Sequence, residues 1–257
     1  MKKFAWIAAV AAVGHLYNRN QTRKVRVHEQ TIPLDAADTP VRITQITDFH
    51  NHRHLDPKKV TEKIRAFDPV FIALTGDLIS ENSRSLAPAL SFAKELVETG
   101  IPVLYVSGNH EWHHPKKESF YEQLEATGVI RLGGRTLEFP AVAVAGIDYP
   151  AAKHTLPKWP ETALPRVLLA HSPSDIHRID FETDLLLCGH THGGQVRLPG
   201  IGAIIVPSEG FFAPVNKGLY QAADHLLYID SGIGNTRLDL RTFNPIQFTN
   251  MIITAHR

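Results

Sequence analysis

Five times between residues 41 and 190, a short apolar, β-branched run breaks off at a polar residue. The run 41–47 stops at Asp48, 70–75 at Gly76-Asp77, 103–107 at Gly108-Asn109, 167–170 at His171, and 185–188 at Gly189-His190. Near-continuous apolar runs of this length belong to strands buried on both faces. The stretches between them carry helix signals. Asp56-Pro57 supplies an N-cap and a first-turn proline ahead of a helix reaching about residue 67. Further helices are expected over about 86–99, stopped by Gly100, and 119–127, stopped by Gly128. Strands alternating with helices predict a layered α/β architecture. Polar residues at the carboxyl ends of strands that share a direction meet in one crevice. Groups spread from 48 to 192 are therefore expected to converge.

The last third reads differently. Runs at 203–206, 226–230 and 246–254 look like strands joined by Gly- and Pro-containing turns, without long helices. They predict a second, mostly antiparallel sheet packed on the first. No linker-like or low-complexity stretch divides the chain, so one domain is expected over 41–254, preceded by a separate hydrophobic segment over 1–25.

That segment opens with Met1-Lys2-Lys3, followed by an apolar run over 4–13 that extends to Tyr17. Fourteen helical residues reach roughly 21 Å, short of a ~30 Å hydrocarbon core. Three readings fit: a short uncleaved anchor, a cleaved signal with Ala9-Val10-Ala11 as its processing site, or an amphipathic or buried N-terminal helix. The anchor is carried forward, so the expectation is membrane association through residues 4–17, rather than a free cytoplasmic or secreted protein. Lys2 and Lys3 on one side and Arg19, Arg23, Lys24 and Arg26 on the other leave its side open.

Composition bears on partners. Net charge is +1, without the basic bias of a protein that tracks phosphate backbones, so nucleic acid is not favoured. A single cysteine, Cys188, permits no internal disulfide, and its place in an apolar run marks it as a buried small hydrophobe. Histidine is abundant, with 15 residues in 257, and position must decide which of them act.

The motifs differ in weight. Gly189-His190-Thr191-His192-Gly193-Gly194-Gln195 is the strongest, because two histidines at i and i+2 amid glycines serve metal ligation better than packing. No cysteine pair completes a structural zinc site. Gly108-Asn109-His110-Glu111 sets an amide oxygen and an imidazole side by side at a strand end. Asp48-Phe49-His50, Gly76-Asp77 and the lone His171 are weak alone. Together they supply two carboxylates, one amide and four imidazoles, too many for one tetrahedral ion and suited to two. His52, His54, His113 and His114 read as solvated loop residues beside the motifs.

In this order the motifs resemble those of the calcineurin-like metallophosphoesterase superfamily. The Cys-Gly-His-Thr-His-Gly-Gly-Gln stretch and apolar N-terminus are similar to a bacterial, often membrane-associated branch of predicted phosphohydrolases. The resemblance implies a four-layer α-β-β-α sandwich of two mixed sheets flanked by helices. It puts Asp48, His50, Asp77 and His192 on one metal, with Asp77 bridging to a second held by Asn109, His171 and His190. It makes His110 the non-ligand histidine beside the scissile phosphate. Many members carry an aspartate three residues after the bridging one to orient that histidine; here the residue is Ser80, leaving Glu81 or a backbone carbonyl to substitute.

The expected reaction is hydrolysis of a phosphodiester, phosphomonoester or pyrophosphate by a hydroxide bridging two divalent ions, manganese ahead of iron or zinc. A lipid-linked or nucleotide-type substrate would suit such a site. The alternative is a catalytically weak metal-binding scaffold of the same fold.

Overall fold

Side chains along a strand point alternately to opposite faces, so a strand apolar at every position must be covered twice. The computed structural model shows what covers each face; it describes residues 2–176, 179, 181–207, 209–222, 224–235 and 239–255, without side chains at 2–5 and 7–11. The first half runs α1 (Lys2–Arg23), β1 (Arg26–Leu34), β2 (Val41–Ile46), α2 (Pro57–Phe67), β3 (Phe71–Thr75), α3 (Ala87–Val97), β4 (Val103–Val106), α4 (Asn109–His113), α5 (Lys117–Ala126) and β5 (Ile130–Arg131). The second half runs β6 (Thr136–Phe139), β7 (Val142–Gly146), β8 (Arg166–Leu169), α6 (Pro173–Ile176), β9 (Leu185–Cys188), β10 (Val196–Leu198), β11 (Gly202–Val206), β12 (Gly210–Phe211), β13 (Gly218–Gln221), β14 (Leu226–Ile229) and β15 (Gln247–Ala255).

Two six-stranded sheets form, in the orders β1-β15-β2-β3-β4-β5 and β13-β14-β9-β8-β7-β6, with a small sheet β10-β11-β12 beside them. Three apolar layers follow from the alternation. Phe71, Ala73, Leu104 and Val106 of the first sheet meet Val167, Leu169, Leu185 and Leu187 of the second. Their neighbours Ile72, Leu74, Val103 and Tyr105 face the other way, onto Val60 and Ile64 of α2, Phe92 and Leu96 of α3, and Phe120 and Leu124 of α5. Leu168, Ala170, Leu186 and Cys188 line the far face of the second sheet, under Ile176 of α6. Three interfaces make four layers, as the resemblance implies.

The expected C-terminal sheet does not exist as a unit. β15 lies inside the first sheet, parallel to β1 and antiparallel to β2. β14 extends the second sheet parallel to β9, which with β8 belongs there and not to the first. Only 203–206 joins a separate small sheet. Local pattern makes a stretch a strand, but register and partner are set by contacts far apart in sequence.

The N-terminus also corrects an expectation. Residues 4–17 form part of the 22-residue α1, and among the described residues no helix is long and apolar enough to cross a membrane. The apolar run passes without a break into Asn18, Arg19, Asn20, Gln21, Thr22 and Arg23, and that polar end packs on the domain. Gln21 and Thr22 are buried, whereas Val13 and Leu16 are exposed. Ile246 N–H donates to Gln21 O (2.8 Å), Asn18 Nδ2 to Asp239 O (2.8 Å), and Arg241 N–H to Asn18 Oδ1 (2.9 Å). The anchor expected over 4–17 is thereby overturned. Membrane anchoring, membrane localisation and assignment to a membrane-associated branch have no support.

Candidate metal centre

The strand ends deliver their polar residues to one place. β2, β3 and β4 run parallel in the first sheet, and β7, β8 and β9 in the second, with carboxyl ends toward the same crevice. Asp48 and His50 follow β2, Asp77 follows β3, Asn109 opens α4 after β4, His171 follows β8, and His190 and His192 follow β9.

These chain turns are strained. Nine non-glycine residues among those described have positive φ, and Asp48, His50, Asp77, His190 and His192 are five of them. A left-handed backbone costs an L-residue about 1–2 kcal/mol, and such strain concentrates where side chains must be aimed. Glycine appears where even a methyl would not fit. A Cβ on Gly108 would overlap the Asp77 carboxylate, and one on Gly189 would overlap Thr47 and Asp48.

All seven expected ligands are brought together. Asp48, His50 and His192 form one group, and Asp77, His171 and His190 another, each with ligand-capable atoms within 4.8 Å of one another. Asn109 Oδ1 lies 3.0 Å from His171 Nε2 and so joins the second group. His50 Nε2 faces His192 Nε2 at 3.2 Å, and His171 Nε2 faces His190 Nδ1 at 3.1 Å. Asp77 Oδ2 stands 3.1 Å from His171 Nε2 and 3.7 Å from His50 Nε2, between the two groups. Buried oxygen and nitrogen lone pairs aimed at common points fit a pair of divalent cations, and the absence of thiolate leaves manganese, iron and zinc all compatible.

Charge agrees with that fit. Burial holds His50 down to about 3 and His190 down to about 4, and holds His192 well below its ordinary value. All three are then neutral imidazoles near pH 7, each with a lone pair to offer. Burial would lower His171 too, but the Asp77 and Asp48 carboxylates outweigh it and raise its pKa. Burial pushes Asp48 up. Burial would raise Asp77 as well, but His171, His50 and His110 together outweigh it and pull it down. In the chain alone, His171 supplies the positive charge that two buried carboxylates need.

Hydrogen bonds decide which ring nitrogen is free. His171 Nδ1–H donates to Thr75 O at 2.8 Å, leaving the Nε2 lone pair for a cation. His110 is the opposite case. Glu81 N–H donates to His110 Nδ1 at 3.0 Å, so in the neutral ring Nε2 carries the proton, although a His110 ring nitrogen also lies within 4.8 Å of ligand atoms of His50 and Asp77. His110 Nε2 lies 3.9 Å from Asp77 Oδ2, and the side chain is 30% exposed. The group behind His110 is thus the Glu81 main-chain N–H, a donor, and not the Glu81 carboxylate or a backbone carbonyl as expected. Ser80 serves another residue, its Oγ lying 3.3 Å from His50 Nδ1.

Sequence reasoning missed Glu111, although it stands inside Gly108-Asn109-His110-Glu111. Its buried carboxylate accepts N–H bonds from Asp77 (2.8 Å), Gly108 (2.8 Å) and Ile79 (3.0 Å), fixing two metal-site loops together. Burial and then Asp77 push its carboxyl up to about 7. The signal was an acidic residue three past a glycine, the reach-back geometry of a helix start. Of the loop histidines, His114 is buried and structural: Nδ1 accepts from Lys116 N–H and Nε2–H donates to Ser83 O, both at 3.0 Å. Cys188 is buried in β9, as expected.

Fold and cluster together define the class: an α/β sandwich with a metal-binding cradle at its strand ends. A family model for calcineurin-like phosphoesterases matches residues 41–194, more than half of the chain, and the chain belongs to that family. Among its relatives, the metallophosphoesterase YkuE of Bacillus subtilis (strain 168) is 30% identical over 220 residues, covering 78% of this chain and 74% of its own. YpbG of the same organism is 27% identical, covering 91% and 89%. The phosphodiesterase YaeI of Escherichia coli (strain K12) is 29% identical, covering 76% of each.

Proposed function

We propose that the chain is a two-metal phosphoesterase, with Asp48, His50, Asp77 and His192 holding one divalent cation and Asp77, Asn109, His171 and His190 the other. The observation that carries this reading is the position of Asp77, whose Oδ2 lies within 3.1 Å of one histidine group and 3.7 Å of the other. One carboxylate then serves both cations. Manganese is the proposed pair on the resemblance to bacterial members of the family; the donor set of hard oxygens and imidazoles accepts it as it accepts iron or zinc. When bound, the two cations would bring the pKa of a water between them toward ~7 and neutralise charge on the phosphate oxygens.

The residues of the chain do the rest. Glu111 fixes the Asp77 backbone against the Asn109 loop, so the shared carboxylate does not swing. Thr75 O holds the His171 ring in its ligating tautomer. His110, its Nδ1 held by Glu81, presents Nε2–H at the open side of Asp77 and donates it to the leaving oxygen. Asn109, His110 and His190 are only half-buried, which gives a phosphate access from their side.

A relative bearing the name phosphodiesterase supports a diester as the first substrate to try. The test is divalent metal content of the purified full chain, with turnover of a model diester, a model monoester and pyrophosphate after loading with manganese. Two ions per chain and metal-dependent hydrolysis of one of the three are expected. A chain that retains two ions and turns over none of them would be a scaffold, and the enzyme reading would fall.

A further inference from the structure

Arg241 lies 49 residues beyond His192, in a stretch that no motif singles out. It is nonetheless fully buried. A guanidinium taken from water is costly unless its N–H groups all find acceptors. Here they find mostly main-chain carbonyls. Nη2 donates to Gly234 O (2.7 Å) and Ser231 O (2.8 Å), Nη1 to Asn244 O (3.3 Å) and more weakly to His192 O (3.5 Å), and Nε to Asn235 Oδ1 (3.1 Å). Nη2 also abuts His192 Nδ1 at 3.4 Å, too long to set the ring's tautomer.

The carbonyls it gathers belong to two arms of the same metal cluster. On one side, Ile233 N–H donates to Thr47 O (3.0 Å) and Gly234 N–H to Asp48 O (2.9 Å), so the segment gripped by Arg241 itself grips the Asp48 backbone. On the other side, Asn244 Nδ2 donates to His192 O at 2.6 Å. Asp48 Oδ1 and His192 Nε2 stand 3.5 Å apart between these arms. The other cluster is braced differently, by Glu111 on the Asp77 loop and by Thr75 O on His171.

We propose that Arg241 is a positioning residue that sets the spacing of Asp48 and His192, and so tunes the affinity of one cation site without touching the other. The proposal rests on the two-metal reading. Outer groups that orient metal ligands typically contribute 10- to 100-fold in metal affinity.

The experiment is calorimetric titration of the metal-stripped full chain with Mn²⁺, wild type against Arg241→Gln, with metal content measured in parallel. Arg241→Gln should keep one site at wild-type affinity and weaken the other about 10- to 100-fold. Adding His192→Ala should weaken that same site further and leave the other unchanged, whereas adding His171→Ala should abolish the remaining tight binding. Arg241→Lys keeps the charge but not the planar fork of donors, and should recover only part of the loss. Wild-type affinity at both sites in Arg241→Gln, or equal loss at both, overturns the proposal. If Arg241→Gln does not fold, Arg241→Lys decides, with loss at one site expected; failure of that variant to fold as well would assign Arg241 to the core and overturn the positioning role. A wild-type chain that binds no Mn²⁺ would instead sink the two-metal reading itself.

Discussion

The two halves of the cradle meet solvent differently. Asp48, His50 and His192 have side chains that are 0–3% exposed, and the Asp48 and His192 backbones are tied to segments gripped by a buried guanidinium. Around the other half, Asn109 and His190 are half-buried, and His110 beside them reaches the surface. The first half is closed by packing throughout; in the second, Asp77 and His171 are equally buried, and only its Asn109 and His190 side is open. In a two-metal hydrolase the closed half would keep its ion, and the open half would meet the phosphate. Asp77 joins them.

The largest effect should come from removing that joint. Asp77→Asn is expected to cost both ions and about 10³-fold in kcat, the upper range for loss of one preorganised electrostatic group. Two ions still bound after dialysis of that variant would refute the shared role. His110→Ala tests the open side alone: kcat should fall about 10²-fold with both ions retained, as for loss of a positioned proton donor. Metal loss on that substitution would make His110 a ligand and cancel the tautomer argument. Chelation sharpens the contrast without mutation. Mixing the manganese-loaded chain with EDTA should release the ions in two resolved phases, the open half first, and a single phase would erase the distinction.

The smallest effect concerns the N-terminal helix, which touches the closed half indirectly. Asn18 accepts from Arg241 N–H and donates to Asp239 O, so α1 braces the segment that carries Arg241. Asn18→Ala should cost about 1 kcal/mol net for these bonds. That lowers Tm by about 2–4 °C in a domain of this size, read by thermal denaturation. An unchanged Tm would mean that the two Asn18 bonds do not stabilise the domain.

Eight of the strands, three of the helices and the side chains that gather in the cradle were legible in the order of residues, for a shared reason. A strand buried on both faces must be apolar throughout, and a residue that ends it with a charge or imidazole is conspicuous. The resemblance then supplied the layering and the role of each ligand. The N-terminal run misled because apolar content over 4–13 says what a segment could bury in, not where its polar continuation docks. The second sheet misled because β15 and β14 look alike as strings, yet one was inserted beside β2 and the other beside β9.

Residue order alone identified which side chains could ligate and roughly where each strand stopped, because those are properties of neighbouring residues. It took the folded chain to reveal that Glu81 N–H stands behind His110, that Glu111 clamps Asp77, and that Arg241 ties the Asp48 and His192 arms together. Those are hydrogen bonds between groups up to 49 residues apart. They depend on backbone direction and burial, which a string of side chains does not carry.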